Sequence, residues 1–270
     1  MNMQQPLNPA EVYERYLSRP IADPWTRVLL ELAVPKRGDR VLDLACGTGS
    51  VARQVAPIVG TTGTVVAVDI NADMLKVGRT QHQPAGAPIE WRQGDATHLD
   101  LLDDNFDLIF CQQGLQFFPD RGASVREMRR LLRTHGTAVI SVWQSLTRHP
   151  IHEALFTATA RYLDVPFRDV DVAFSFSSAE KLYTLLRSAN FTHVEVTTKA
   201  VSIQMPEPER FVEFSILGAA TSIPKFASLD GATRSALVSE VTKETHAVVQ
   251  SFMKGDSLRF PMEANIAIAR

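Results

Sequence analysis

The chain has 270 residues, of which 45% are hydrophobic and 21% are charged, and its formal net charge is −2. This composition is typical of a globular protein built as one large domain, or as one domain with a cap. The lack of a basic excess argues against a nucleic-acid partner, and two cysteines are too few for a disulfide framework. The stretch from Met1 to Ala10 has no signal-peptide core, and no apolar run approaches the ~20 residues that span a bilayer. We therefore expect a soluble, cytoplasmic protein without a membrane span.

Residues 9–34 form the first predicted segment, with one or two helices before any strand. Tyr13 and Tyr16 share one face of the first helix, and Pro20 and Pro24 interrupt the run. Helices in this position are unusual for a simple dinucleotide domain. They favour an N-terminal segment that closes over a small-molecule site, and packing of both tyrosines on the body of the protein is the alternative.

A strand, a glycine turn and a helix come next. The apolar run Val41–Leu44 predicts a strand that is buried on both faces. Gly47 and Gly49 end this strand, and Ser50–Val59 predicts a helix, so the turn directs backbone N–H groups and a helix N-terminus at a ligand. The glycine spacing also fits the dinucleotide fingerprint. Asp43, at the end of the strand, would repel a pyrophosphate and suits a cationic ligand, by contact or through water.

Two further strands end in acidic residues. Thr64–Val68 predicts a second strand, and Asp69 directly after it can accept two hydrogen bonds from ribose hydroxyls. Ile89–Gln93 predicts a third strand, followed by a Gly-Asp-Ala sequence at residues 94–96. Together with Asp43, these acids lie at the C-terminal ends of three successive strands, where open α/β sheets bind their ligands.

The sequence from Asp43 to Gly49 resembles motif I of the class I S-adenosylmethionine methyltransferases, in which an acid precedes three alternating glycines. Ala45 stands at the first glycine position, and alanine is the mildest replacement there. A fourth strand is predicted at Phe106–Cys111. The segment after it, Gln112–Asp120, resembles the small-molecule branch that includes the ubiquinone/menaquinone-type enzymes. These motifs cover residues 39–143, and outside them the resemblance is one of architecture.

The resemblance implies S-adenosyl-L-methionine as the cofactor and S-adenosyl-L-homocysteine as its product. It implies an α/β fold with a Rossmann-like, doubly wound, seven-stranded sheet whose last strand is antiparallel, and with a helical cap or lid. Ile70 and Met74 would press on the adenine, although ordinary core packing is the alternative for Met74. Asp95 would accept from the exocyclic amine of the adenine, and the next N–H would meet a ring nitrogen. The implied cofactor-binding residues are Asp43, Ala45, Cys46, Gly47, Gly49, Asp69, Ile70, Met74, Gly94, Asp95, Ala96 and Gln112.

The acceptor pocket is predicted from the segment after the fourth strand and from the flanking helices. Its predicted residues are Tyr13, Tyr16, Gln113, Gln116, Phe117 and His149. Many members of the resembled branch carry histidine where Gln116 stands. A glutamine cannot act as a base near neutral pH, but it can orient an acceptor by hydrogen bonding. No Asn/Asp-Pro-Pro-Tyr motif points to a nucleic-acid acceptor, and no acid cluster suits Mg²⁺, so we predict no metal site.

His149 and His152 are the acid–base candidates, and they follow a fifth predicted strand at Thr137–Trp143. A structural or surface histidine is the alternative for each of them. Gln116 is the third catalytic candidate, as an orienting group. Displacement of a sulfonium methyl does not require a side-chain base, because positioning and exclusion of water supply most of the rate.

The remaining pattern predicts four more elements. They are a helix over Arg121–Arg133 that ends at His135-Gly136, a helix over Ser178–Ser188 with a serine cap at 177 or 178, and strands over Val194–Ile203 and Asn265–Ala269. We expect Cys46 and Cys111, on neighbouring strands, to be reduced, buried and apolar in character.

The predicted organisation has four parts. Residues 1–38 form N-terminal helices that close over the site, and 39–143 form the cofactor-binding core. Residues 144–193 form cap helices, and 194–270 supply the final strands with a helical lid inserted at about 204–261. A connection of this length favours a functional lid, and its Phe, Leu, Ile and Met side chains predict a partly apolar acceptor.

These observations predict a methyltransferase that acts on an O, N or C atom of a small, partly apolar acceptor, either a natural product or a quinone-like compound. An NAD-dependent oxidoreductase is one alternative, supported by the glycine turn and Asp69. A protein that binds the cofactor without catalysis is a second, and an enzyme that couples methylation to cyclisation or rearrangement is a third. The expected partner is the small-molecule acceptor and not nucleic acid, and homo-oligomerisation stays open.

Overall fold

The computed structural model describes residues 8–205, 207–219 and 224–270. Parts of the predicted N-terminal segment and of the predicted lid, at 1–7, 206 and 220–223, lie outside the described residues. The α-helices are α1 (Pro9–Val12), α2 (Asp23–Ala33), α3 (Ser50–Val59), α4 (Ala72–Thr80), α5 (Arg121–Leu131), α6 (Pro150–Leu163), α7 (Ala179–Ser188), α8 (Phe211–Ala219), α9 (Pro224–Ala227) and α10 (Gly231–Ser251). The strands are β1 (Arg40–Leu44), β2 (Thr64–Asp69), β3 (Ile89–Gln93), β4 (Phe106–Gln112), β5 (Leu132–Trp143), β6 (Val194–Met205), β7 (Met253–Lys254) and β8 (Ser257–Ala269). A π-helix at Tyr13–Ala22 joins α1 to α2.

The strands form one mixed sheet in the order β3-β2-β1-β4-β5-β8-β6, and β7 pairs with β8. The pairs β2–β3, β1–β2, β1–β4 and β4–β5 are parallel, whereas β8 runs antiparallel to β5. The predicted α/β fold with an antiparallel last strand is therefore confirmed. The described residues contain eight strands rather than seven, because the short β7 folds back on β8.

The strand order reverses beside β1, and this reversal positions the site. The chain passes outward from β1 through β2 to β3 and then returns to place β4 on the other side of β1. In open α/β sheets the crevice at such a switch point, outside the carboxyl ends of the strands, is the usual ligand site. We call the C-terminal ends of β1, β2, β3 and β4 the carboxyl edge.

The end of α5 differs from the prediction. The helix stops at Leu131 and β5 begins at the next residue, so His135 and Gly136 lie inside a strand and do not terminate the helix. The pairing of β5 with Phe106 and then with Leu108 contains a register shift, and His135 takes a φ of 68° within it. The pairing of β5 with β4 therefore determines the structure at His135 and Gly136, although these residues are typical of a helix C-terminus. Tertiary contacts can outweigh local propensity in this way.

Two helices begin with a side-chain cap, and the cap of α7 confirms the predicted serine cap. The side chain of Asn71 accepts hydrogen bonds from the N–H groups of Asp73 and Met74 at the start of α4. The hydroxyl of Ser178 accepts from the N–H of Lys181 at the start of α7. Each cap satisfies backbone donors that have no partner inside the first helical turn.

The chain divides into two compact units. The core unit comprises residues 22–145, 173–201 and 262–270, and the helical unit comprises 1–21, 146–172 and 202–261. These boundaries differ from the predicted ones, because α2 and α7 belong to the core unit. In the core unit, buried apolar side chains of β1, β4 and β5 pack with those of α5 and α7, among them Leu42, Phe106, Ile109, Met128 and Leu182.

The helical unit has its own packing. Helix α10 packs on α6, and an ion pair between Arg161 and Glu244 links the two helices. The ring of Tyr16 stacks on that of Phe214 with 3.5 Å between the centroids. Within the described part of the chain, no helix is both long enough and apolar enough to cross a bilayer.

Candidate functional site

The turn after β1 contains three left-handed residues at alternate positions. The φ angles are 57° at Ala45, 54° at Gly47 and 87° at Gly49. The N–H of Cys46 donates to the carbonyl of Val68 at 3.0 Å, which ties the turn to β2. The alternating glycines are thus a backbone requirement, because residues with a Cβ pay for this conformation and glycine does not.

Ala45 is the one residue of this pattern that carries a Cβ, and Gly114 makes room for it. A Cβ built on Gly114 would lie 2.6 Å from Ala45 Cβ and 3.0 Å from Cys111 Sγ. Gly114 was not predicted from the sequence, because its role depends on a contact with a residue far away along the chain.

We expect Ala45→Gly to raise the free energy of unfolding by ~0.5–1 kcal/mol, since glycine adopts the left-handed conformation without strain. Gly114→Ala alone should lower it by ~1–3 kcal/mol through overpacking. In the Ala45→Gly background this cost should shrink by at least ~0.5 kcal/mol, because one of the two clashing atoms is gone. Urea unfolding of the four proteins measures the coupling, and additive effects would show that the two side chains do not meet.

Asp43 is buried at the end of β1, with 1% of its surface exposed. Its Oδ2 accepts a hydrogen bond of 2.9 Å from the N–H of Ala52, in the first turn of α3. Burial, with the nearby charge of Asp69 adding to it, raises the pKa of Asp43 from 3.8 to about 7, although the Ala52 hydrogen bond opposes the rise. The carboxyl group therefore holds the start of α3 and titrates near neutral pH.

Asp69 joins the glycine turn to β2. Its Oδ2 accepts from the N–H of Gly47 at 2.7 Å, and its Oδ1 accepts from the N–H of Asn71 at 2.8 Å. Burial raises its pKa above the ordinary value, and these backbone hydrogen bonds oppose the rise. Each carboxylate oxygen has a second lone pair, so the group can still accept hydrogen bonds from a ligand.

The other predicted nucleoside contacts lie beside Asp69 at the carboxyl edge. Ile70 is 67% exposed and Met74 is half-buried, which leaves an apolar surface next to the acid. Gly94 donates its N–H to the carbonyl of Asp69 at 3.1 Å. Asp95 is exposed, and hydrogen bonds from the N–H and hydroxyl of Thr97 lower its pKa. Ala96 is buried directly after it.

Gln112, a predicted cofactor contact, has both ends of its side-chain amide paired within the core unit. Its Oε1 accepts from the Thr26 hydroxyl at 2.9 Å, and its Nε2 donates to the carbonyl of Ala22 at 3.0 Å. The Thr26 hydroxyl also lies 2.8 Å from the Ser50 hydroxyl, which donates to Asp23. Both ends of the amide therefore fasten the start of α2 to the end of β4. In the sequence, this network is indicated only by Thr26 and Ser50, two hydroxyl-bearing residues in otherwise largely apolar helices.

Trp91 makes a further contact that was not predicted from the sequence. A Cβ built on Gly49 would lie 2.3 Å from Cη2 of the Trp91 indole, and one built on Gly78 would lie 2.7 Å from its Cζ3. The indole thus lies against the glycine turn and against α4. A glycine is therefore required at position 49 for two reasons: the backbone has a left-handed φ, and the indole leaves no space for a Cβ.

The two cysteines are free and buried in the core unit. Burial raises the pKa of Cys111 to about 12 and that of Cys46 well above its ordinary value. Both are therefore neutral thiols at physiological pH, in agreement with the apolar character expected from the sequence. Among the described residues, no group of three His, Cys, Asp or Glu side chains is placed to hold a metal ion.

The predicted acceptor residues of the core unit follow β4. Gln113 has a φ of 53°, and its N–H donates to the Ser141 carbonyl at 3.0 Å. Gln116 lies in a 3₁₀ turn at Leu115–Phe117 and is 2% exposed, whereas Phe117 is 43% exposed. The side-chain nitrogen and oxygen of both glutamines are buried, and neither has a hydrogen-bond partner among the described residues.

Tyr13, Tyr16, His149 and His152 belong to the helical unit. The Tyr16 ring is covered by Phe214, and Arg210 lies 5.4 Å from its centroid. The carbonyl of His149 accepts from the N–H of His152 at 2.9 Å at the start of α6. Burial, followed by the charge of His149, lowers the pKa of His152 to about 3, which makes its imidazole a poor base at neutral pH.

Comparison with known proteins identifies relatives. The model of the ubiE/COQ5 methyltransferase family matches residues 11–204. A relative from Stenotrophomonas maltophilia, named ubiquinone/menaquinone biosynthesis C-methyltransferase, is 41% identical over 125 residues, which are 46% of this chain and 49% of that protein. The matched part thus spans about half the length of this relative.

Two solved structures share the fold. A putative methyltransferase from an antibiotic biosynthesis pathway of Anabaena variabilis has a TM-score of 0.60 at 17% identity, over 90% of this chain and 96% of that one. A phosphoethanolamine N-methyltransferase from Haemonchus contortus, in complex with S-adenosyl-L-methionine, has a TM-score of 0.54 at 18% identity, over 96% of this chain and 55% of that one. At these identities the likeness is one of fold.

Proposed function

Because the chain belongs to the ubiE/COQ5 methyltransferase family, we propose that it binds S-adenosylmethionine at the carboxyl edge and methylates a small, partly apolar, quinone-like acceptor. The observation that carries the proposal is the hydrogen bond from the N–H of Gly47 to Asp69. It joins the glycine turn to the predicted ribose-binding acid at the switch point of the sheet, where a nucleoside ligand is expected.

The residues of the carboxyl edge fit the proposed cofactor part by part. The free lone pairs of Asp69 suit the two ribose hydroxyls, and the exposed side chain of Ile70 suits one face of the adenine. Asp95 is exposed at the next strand end and can accept from the adenine amine. The methionine part would lie along the turn at Ala45–Gly49, where the buried acid Asp43 favours a positive charge.

The bound cofactor supplies an electrophilic methyl group on a positively charged sulfur. The chain's own residues have to hold the acceptor atom in line with that methyl group and exclude water. The network of Gln112 with Thr26 keeps α2 at the end of β4, and Gly114 keeps the glycine turn close to the segment after β4. No side-chain base is required, and the low pKa of His152 leaves His149 as the acid–base candidate.

The acceptor is proposed from the names of the relatives and from the composition of the helical unit. A relative is named a ubiquinone/menaquinone biosynthesis C-methyltransferase, so a ring carbon of a quinone-like compound is the proposed methylation site. A cytoplasmic location and the absence of a nucleic-acid partner remain parts of the proposal.

Calorimetric titration with S-adenosylmethionine, S-adenosylhomocysteine and NADH tests the proposal. We expect micromolar binding of the first two compounds and none of NADH. Asp69→Asn should weaken both by at least ~10-fold, because it removes charge from the acceptor of the ribose hydroxyls. Asp73→Asn, an exposed acid in the first turn of α4, is the matched control and should change neither. Binding of NADH alone would reassign the chain as an oxidoreductase.

A further inference from the structure

The mixed sheet ends in a long edge strand. Strand β6 spans the twelve residues Val194–Met205, and in the described part of the chain it pairs with β8 on one side only. The other edge strand, β3, has five residues, and the guanidinium of Arg79 donates to its Trp91 carbonyl at 3.0 Å. Proteins commonly keep edge strands short or covered, because an open edge offers backbone N–H and C=O groups to another strand. Strand β6 is long, contains no proline, and is exposed at Glu195 and at residues 198–200.

The register of β6 on β8 identifies the backbone groups that point outward. Directly before β6, His193 exchanges two hydrogen bonds with Arg270, at 3.1 Å and 2.8 Å. Five residues further along, the Thr198 hydroxyl donates to the Asn265 side chain at 2.9 Å, and these two residues are opposite each other if the same register continues. Because backbone direction alternates along an antiparallel strand, residues 195, 197 and 199 pair with β8, and the even-numbered residues from 194 to 200 direct their N–H and C=O groups outward.

The charges of β6 are complementary to those of a second β6 strand. The strand carries two charged residues, Glu195 and Lys199, four positions apart. If two copies pair antiparallel about a two-fold axis at Thr197, Glu195 of each copy lies opposite Lys199 of the other. These positions form non-hydrogen-bonded pairs, in which facing side chains are closest. This is the only two-fold register that pairs both charges, and an axis at Glu195 or at Lys199 would place like charges opposite each other.

The neighbouring side chains suit the same register. Val194 and Val196 are half-buried against the apolar cluster of the core unit, and in the paired arrangement they lie opposite Ala200 and Thr198 of the second copy. A second β6 strand would cover their remaining apolar surface. A lysine in an edge strand commonly discourages pairing, but opposite a glutamate it selects one partner and one register.

We propose that two copies of this chain associate through β6, antiparallel about a two-fold axis at Thr197, so that their sheets join into one. Val196 of each copy would exchange backbone hydrogen bonds with Thr198 of the other, and the interface is isologous. Strand β6 runs in the same direction as β5 and β4, since β8 is antiparallel to both β5 and β6. The two carboxyl edges therefore lie on opposite sides of the joined sheet, and the association does not depend on the proposed function.

Analytical ultracentrifugation of the full chain over ~1–200 μM measures the association. We expect the mass to rise from that of one chain toward twice that value, with a dissociation constant of ~1–100 μM, because a strand pair buries less surface than an interface of standard size. Amide hydrogen exchange over residues 194–200 should slow across the same range, since the outward N–H groups acquire partners.

Charge exchange tests the register. Glu195→Lys and Lys199→Glu should each weaken the association at least ~10-fold, because each replaces two opposite-charge pairs with two like-charge pairs. The double variant restores opposite charges across the axis, and its dissociation constant should return to within ~3-fold of the wild type. Lys181→Glu, at an exposed position of α7, changes the net charge as Lys199→Glu does and is the matched control, which should leave the association unchanged.

A proline tests the strand pairing independently of charge. Ala200→Pro removes an outward N–H and leaves the pairing with β8 intact, and edge strands tolerate proline at such positions. It should weaken the association at least ~10-fold while the chain remains folded by circular dichroism.

Three results would overturn the inference. One is a wild-type chain that stays monomeric at ~200 μM. Another is a dimer that Glu195→Lys and Ala200→Pro leave intact, because a different surface would then associate. The third is a double charge variant that does not regain the association, because the strands would then pair in another register.

Cofactor binding separates this inference from the proposed function. Since the two carboxyl edges are apart, affinity for S-adenosylhomocysteine should agree within ~2-fold between the wild type and Ala200→Pro. A larger loss in Ala200→Pro would count against two separate sites and so against the proposed arrangement. A wild-type protein that binds neither adenosyl compound but forms the dimer fails the proposed function and supports the inference.

Discussion

Replacing Asp43 with asparagine is expected to weaken binding of S-adenosylmethionine by at least ~10-fold while it stabilises the protein above pH 7. The carboxylate is buried at the end of β1 beside the glycine turn, where its negative charge favours a cationic ligand. The sulfonium of S-adenosylmethionine is positive and the thioether of S-adenosylhomocysteine is neutral. Affinity for the second compound should therefore fall less.

The expected gain in stability follows from the raised pKa. Asp43 has a pKa of about 7 in the folded chain, compared with 3.8 ordinarily. The folded chain therefore binds this proton more tightly than the unfolded chain does. The stability that this difference contributes is fully present below about pH 4 and is lost as the pH rises through about 7. A pKa difference of about three units corresponds to ~4 kcal/mol. As the pH rises from about 4 to above 7, the free energy of unfolding of the wild type should therefore fall by up to this amount relative to that of Asp43→Asn.

Urea unfolding of both proteins at about pH 5 and about pH 8 measures ~3 kcal/mol of this difference, because the remainder is lost between about pH 4 and pH 5. Calorimetry adds an independent readout, because binding of a cation should favour the ionised carboxylate and release a proton near neutral pH. Asp107→Asn is the control for binding, since Asp107 lies at the start of β4, at the opposite edge of the sheet, where it pairs with Arg133. Unchanged affinity for S-adenosylmethionine in Asp43→Asn would limit Asp43 to holding the N-terminus of α3.

The parts of the site that could be predicted from the sequence are those encoded by local patterns. Asp43, Gly47 and Gly49 lie close together along the chain, and their spacing reflects the alternate left-handed residues that the turn requires. Asp69 and Asp95 were found because each follows a strand that hydrophobic periodicity reveals. Short-range backbone chemistry leaves a signature in the sequence, and the resemblance to the methyltransferases depends on that signature.

The parts that could not be predicted depend on contacts between distant residues. Trp91 contacts the turn through a β3 pairing that no local pattern encodes, and Gly114 matters only because Ala45 carries a Cβ. The position of Gln112 after β4 led to the prediction of a cofactor contact, whereas the pairing of its amide with Thr26 and Ala22 could not be predicted. Position along the chain predicts which edge a side chain reaches, whereas its partner depends on how the helices pack.

Gly49→Ala is expected to destabilise the protein strongly, because the added methyl group brings two separate costs. One is backbone strain at a left-handed φ of 87°, and the other is a Cβ at 2.3 Å from the Trp91 indole. Strain of ~1–2 kcal/mol and overpacking of ~1–3 kcal/mol together predict a loss of ~2–5 kcal/mol in the free energy of unfolding. Because the same shift displaces the turn, binding of S-adenosylmethionine should be lost.

Two further alanine substitutions separate the strain from the clash. A Cβ on Gly78 would meet the same indole at 2.7 Å and the carbonyl oxygen of Thr48 at 2.9 Å without a left-handed φ, so Gly78→Ala should show overpacking without backbone strain, offset by up to ~1 kcal/mol of helix propensity. Gly231→Ala meets no atom within 4 Å and should be nearly neutral. In a Trp91→Leu background, Gly49→Ala should retain only the ~1–2 kcal/mol of backbone strain. If the full cost persists there in urea unfolding, the indole does not constrain the turn, and the glycine is required for its φ alone.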